Sequence, residues 1–288
     1  MMHKFRDGFV LKLCVFFIFF GRAYQFIFFG APFRAVFWDE SLMSPIVEKI
    51  FNTSWNEYST NLTINYYIEV ITVTCGIIFL FIALVALFWD KIESLSLKNR
   101  FLKLGIFLLV VLTFLIFKSK NFRVLEIFEM FIQLSLPTAL LFSNKLDQEN
   151  ISLYLRFAIG VTFIAHGLYA LGIPFQPGHF IDMTINITGL NEDSARVFLK
   201  VAGVLDIIAA ILLFHVKTIN VALSYILVWG LLTACARIIY GFNSLFILDT
   251  IHNSLYQTLY RLPHGLIAIA LYKMQTNKEN LKLNYNEA

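Results

Sequence analysis

The stretch FIAHGLYALGIPF, Phe163–Phe175, places a histidine inside an apolar run and closes it with Gly-x-Pro-Phe. An earlier run, YQFIFFGAPF (Tyr24–Phe33), closes the same way. A helix needs about 20 apolar residues to cross the hydrocarbon layer. Proline disfavours the helical conformation in the residue before it, so Gly-x-Pro is read as the end of such a crossing. The two runs therefore raise two questions, whether the chain is a membrane protein and whether it repeats.

Composition answers the first. Of the 288 residues, 58% are hydrophobic and 15% charged, with 31 Phe and a mean hydropathy of +0.71. A soluble domain carries about 25% charged residues, so too little polar surface is available here for water to be the only solvent. The apolar runs lie at about 9–30, 67–89, 102–118, 123–143, 154–173, 198–216, 219–240 and 255–273. The expected fold is all-α and polytopic, with eight transmembrane helices. No basic run interleaved with aromatics points to nucleic acid. The basic start (His3, Lys4, Arg6) resembles a signal peptide, but the apolar stretch continues past Arg22 without a small-x-small cleavage site, so a retained first helix is expected. Lys and Arg are enriched in cytoplasmic loops. Their distribution favours both termini in the cytoplasm, with the cluster Lys118, Lys120 and Arg123 as the exception. Segments 31–66 and 173–197 are then external.

The repeat follows from aligning Gly30-Ala-Pro-Phe33 with Gly172-Ile-Pro-Phe175, an offset of 172 − 30 = 142. Leu136-Pro137 matches Leu262-Pro263 at 262 − 136 = 126, the second half being shorter through its external segment. Four helices per unit means that both units enter the membrane in the same sense, as tandem parallel units. The expected division is 1–147, 148–275 and a polar cytoplasmic tail, 276–288. Leu-Pro inside the fourth and eighth helices is expected to kink them.

Three cysteines (Cys14, Cys75, Cys235) without Cys-x-x-Cys read as small buried hydrophobes, with a Cys75–Cys235 disulfide as an alternative. The Phe-rich CVFFIFF (Cys14–Phe20) reads as lipid contact, and Trp38, Trp55, Trp89 and Trp229 as an interfacial belt.

Ionisable groups at membrane depth are costly and call for named partners. Counted at about 1.5 Å per residue, Arg22, His166, Asp206, Arg261 and His264 fall at similar depths in the outer half of the bilayer. Arg237 lies near the outer end of helix seven, and Glu126 and Glu129 in the first turns of helix four. Two polar clusters are expected. In one, Asp206 pairs with Arg261 or Arg237, near His166 and His264. In the other, Arg22 meets Glu126 or Glu129, with Tyr24, Gln25 and Gln133 nearby. A purely structural helix–helix role competes with ligand or proton binding. Metal binding by His166, His264 and Asp206 is not expected, and catalytic residues are not identifiable.

The second half, LRFAIGVTFIAHGLYALGIPF followed by FLKVAGVLDIIAAILLF, resembles the DoxX-like family of four-helix membrane proteins. Arg156, Gly160, the His166-Gly167 pair, and Asp206 three residues after Gly203 carry the resemblance, over about 154–273. The first half resembles it only in architecture and Gly-x-Pro-Phe. Arg22 and Tyr24 replace the pattern there, and no acid stands in its second helix. The resemblance implies a bacterial cytoplasmic membrane protein and, less firmly than the fold, quinone- or redox-linked chemistry with quinone as a candidate ligand and a redox protein as partner; the long external segments suit an extracytoplasmic partner protein. A small-anion transporter and a non-catalytic scaffold are the alternative functions.

Overall fold

The computed structural model describes residues 8–286, with side chains through residue 276. The basic residues His3, Lys4 and Arg6, and the side chains of the tail beyond 276, lie outside the described residues. The chain is all-helical among the described residues. Eight long helices are separated by four short ones. The long helices are α1 (Phe9–Phe28), α5 (Leu62–Leu87), α6 (Leu95–Ser119), α7 (Val124–Phe142), α8 (Gln148–Leu171), α10 (Glu192–Leu212), α11 (Ile219–Tyr240) and α12 (Ile247–Asn286). The segment 31–66 folds into α2 (Arg34–Phe37), α3 (Glu40–Phe51) and α4 (Trp55–Thr60), and 173–197 contains α9 (Gly178–Thr188). Each run read from hydropathy thus coincides with one long helix. The proposed boundary at 276 falls inside α12.

Six of these helices are long and apolar enough to cross a membrane: α1, α5, α6, α7, α8 and α11. The chain is accordingly a helical integral membrane protein. Its surface agrees, since Ile77 and Phe81 on α5 and Phe107 and Phe114 on α6 are all exposed, more contiguous apolar surface than water-soluble monomers show. α10 and α12 are more polar. Even so, Val197, Val201, Val204, Ile208 and Ile211 of α10 form an exposed apolar stripe at helical spacing. The middle of α12 is turned inward, and its polar residues Arg261 and His264 contribute to an interior site.

Packing runs through both halves. Within the first, α1 packs on α5, α5 on α6, α6 on α7 and α7 on α1. Within the second, α8 packs on α10, α10 on α11, α11 on α12 and α12 on α8. Between them α1 lies along α12 and α7 along α8, and one continuous apolar core joins the two. At the second seam the Thr162 hydroxyl is inserted into one rung of α7. It accepts from the Ile132 N–H at 3.2 Å and donates to the Phe128 carbonyl at 3.3 Å.

This arrangement corrects one expectation. One face of CVFFIFF is core rather than lipid contact: Cys14, Val15, Ile18 and Phe19 are fully buried, because α1 is enclosed by α5, α7 and α12, while Phe16, Phe17 and Phe20 are half-buried. Phe19 fills the space over Gly105, where a Cβ would lie 2.6 Å from its ring. The cysteines are all free, so the Cys75–Cys235 disulfide is absent. Pro137 and Pro263 both lie inside continuous helices. The Gly-x-Pro-Phe echo has a backbone cause, since Gly30 (φ +82°) and Gly172 (φ +90°) both adopt the left-handed conformation as α1 and α8 end. That conformation costs glycine little.

The short helices gather at the end of the bundle where α1 and α8 terminate. Asp39 caps α3 by accepting from the Leu42 N–H at 3.1 Å, and it pairs with Lys118 at the end of α6. The Lys118 ammonium, with the Ser41 hydroxyl, holds the Asp39 carboxyl down at about 2. At the opposite end Lys12 pairs with Asp90, and the Lys98 ammonium donates to the Trp89 carbonyl at 3.0 Å.

Candidate ligand site

The Gly-containing motifs of the second half explain how its polar side chains meet. A Cβ built on Gly167 would lie 2.7 Å from the Gly203 carbonyl oxygen, and one on Gly203 would lie 2.6 Å from that of Gly167. Only hydrogen at both positions allows α8 and α10 this approach. His166 and Asp206, one and three residues away along their helices, are thereby set on the wall of one space. Gly230 and Gly265 do the same for α11 and α12, with a Cβ on Gly230 only 2.7 Å from the Gly265 nitrogen.

The space is a cavity of about 270 Å³ inside the second half. Its polar wall consists of His166, Asp206, Arg237, Arg261 and His264, the five residues expected to cluster there. Its apolar wall includes Phe163 and Ala170 of α8, Phe180 and Met183 of α9, Phe198 of α10 and Trp229 of α11. α10 and α11 touch only sparsely, and α9 packs against both. Leu232 and Ile239, each 56% exposed, border the cavity on the outer surface of α11. The cavity thus reaches the apolar surface beside α9. Trp229, read from the sequence with the interfacial tryptophans, lines this cavity.

The partners differ from those expected. Asp206 pairs with neither arginine; its Oδ1 accepts from the Tyr225 hydroxyl at 2.8 Å. Arg22 meets neither glutamate. Its Nε donates to Gln133 at 2.9 Å, one terminal nitrogen to Gln25 at 2.6 Å, and its guanidinium lies 4.0 Å from the Tyr260 ring centre. Tyr24 instead bonds His252 Nδ1 at 2.6 Å. The two acids of α7 face the other half: Glu126 accepts from the Tyr169 hydroxyl at 2.9 Å, and Glu129 Oε1 lies 3.6 Å from His166 Nε2. The reason is rotational, because α7 runs along α8 and turns its carboxylates across the seam. Glu129 thus belongs with the second-half cluster rather than with Arg22.

His166 and His264 are stacked, ring centres 5.6 Å apart and planes 14° from parallel, and His264 Nδ1 lies 2.9 Å from the Arg261 carbonyl oxygen. Arg237 donates to Thr233 O of its own helix at 2.6 Å. The Arg261 Nε is buried without an acceptor. Among the described residues no three His, Cys, Asp or Glu side chains converge as metal ligands. Tyr225, Trp229 and the α9 residues were not anticipated. Tyr225 and Trp229 are four apart and so share a helix face, a signal that could have been used.

No family model, no curated protein and no solved structure matches the chain.

Proposed function

We propose that the chain crosses the membrane eight times, as two tandem four-helix units. The second unit then holds a membrane-borne ligand whose polar head sits among His166, Asp206, Arg237, Arg261 and His264. The exposed apolar stripe of α10 and the enclosure of α12 support the two spans that composition alone does not favour. The contact pattern supports the repeat. Every neighbour pair of the first unit has its counterpart in the second, and the first helix of each unit packs on the last helix of the other. With the termini in the cytoplasm, α9 and the cavity lie toward the outer face.

The observation that carries the ligand reading is the cavity itself, apolar on the side open to lipid and polar at its inner wall. Ligand pockets commonly combine an apolar lining with a few convergent polar groups. The DoxX-like resemblance taken alone would make that ligand a quinone or a related redox-linked lipid; the side chains of the cavity themselves require only a lipid whose head accepts from arginine N–H groups and imidazoles. Transport is the weaker reading. Away from the cavity the second unit is filled by buried Leu155, Ile159, Ile226 and Ile267, which offer a solute no polar route.

Mass spectrometry of the protein purified in mild detergent tests this. A lipophilic molecule should copurify in near-stoichiometric amount and be depleted in His166→Ala. Finding only bulk lipid, in bulk proportions, would refute it.

A further inference from the structure

We propose that the head group taken by this cavity is an oxyanion carried on an apolar tail, a carboxylate or phosphate monoester of a lipid; this rests on the reading that the cavity holds a membrane-borne ligand. Arg237 and Arg261 line the same cavity, close enough for each to feel the other's charge. The ion pairs among the described residues include neither of them. Arg237 is buried and its one hydrogen bond goes to its own backbone, while the buried Nε of Arg261 has no acceptor. Each guanidinium carries five N–H donors in a planar fork, so nearly all of this donor capacity is open.

The nearby carboxylates do not fill it. Glu129 lies within the field of both arginines, but its contact is to His166, and Asp206 is engaged by Tyr225 of the α11 wall. A carboxylate or phosphate accepts from guanidinium forks in a bidentate manner and offsets two desolvated like charges. A neutral head would satisfy donors and leave the charges facing each other. Phe163, Phe198 and Trp229 supply a surface that suits a hydrocarbon tail, and the opening beside Leu232 leads that tail to lipid. An anion without a tail would leave this wall unused.

The test uses the full chain in phosphatidylcholine nanodiscs with Trp229 as its sole tryptophan (Trp38→Phe, Trp55→Phe, Trp89→Phe). Quenching of Trp229 is titrated with a brominated fatty acid, the matching brominated alkyl phosphate, the matching alcohol and a brominated quinone. The acid or the phosphate should quench saturably, at concentrations about tenfold or more below the alcohol and the quinone. Arg261→Gln should abolish that preference and Arg261→Lys restore part of it. Which of the two anions binds more tightly identifies the lipid class. Equal binding of acid, phosphate and alcohol, or preference for the quinone, overturns the oxyanion and leaves the membrane-borne ligand standing. Acetate or inorganic phosphate displacing the probe as well as the tailed anion does overturns the tail. Absence of saturable quenching by every probe overturns the cavity reading itself. The wild-type comparison of acid with alcohol holds even if an arginine variant fails to fold.

Discussion

Replacing Gly203 by alanine adds one methyl group at the point where α8 and α10 are closest. The new Cβ would lie 2.6 Å from the Gly167 carbonyl oxygen and 3.1 Å from the Ala170 Cβ, where ordinary contact begins at 3.4 Å. The helices must separate locally by at least 3.4 − 2.6 = 0.8 Å, because the obstacle is backbone and cannot rotate away. Overpacking of this kind costs about 1–3 kcal/mol, and about 2–4 °C of Tm accompanies each kcal/mol in a chain of comparable size. A fall of several degrees is therefore expected in thermal unfolding followed by fluorescence in detergent. Because His166 and Asp206 flank this contact, ligand occupancy measured by copurification should fall as well. Gly178→Ala is the control, since a Cβ there meets nothing within 4 Å; it should leave both quantities unchanged. Equal melting and equal occupancy for Gly203→Ala and wild type would show that the approach of α8 to α10 does not shape the cavity.

Gln133→Leu removes the acceptor of Arg22 Nε in the core. Leaving one buried donor of a charged group unsatisfied costs about 1–3 kcal/mol, visible as a drop in Tm. Asp39 is a carboxyl whose folded value, about 2, lies below its unfolded value of about 4. Its contribution is therefore present above pH about 4 and lost as pH falls toward about 2; Asp39→Asn should lower the Tm near neutrality, flatten the pH profile across that window and converge with wild type near pH 2. Among the cysteines, Cys235 is exposed and Cys14 buried. A membrane-soluble maleimide should modify Cys235 in the folded protein, whereas Cys14 should require denaturant, as mass mapping would show.

Hydropathy located every long helix because each contains an apolar run, although α10 and α12 are more polar than the other six. It also brought the five polar residues of the second half to one depth, since depth is a count along an axis. What it left open was rotation. Asp206 was expected beside an arginine and meets Tyr225, and Glu129 was expected beside Arg22 and meets His166. A partial rotation about a helix axis changes partners without changing depth, and the CVFFIFF run of α1, apolar on every side, gives no sign of which face is inward. CVFFIFF was misassigned for that reason. α9 escaped notice because it is short and its role depends on the gap between α10 and α11, a long-range feature.

The crossed seam, α1 against α12 and α7 against α8, has a consequence for symmetry. Were each half a separate four-helix chain pairing with its twin, the two seams would have to be alike. Joined in one polypeptide, they are free to differ: one carries Glu129 beside His166, the other stacks Arg22 on Tyr260. Linkage thus allows one half to hold the cavity without a matching one being required of the other, a freedom that identical subunits would not have.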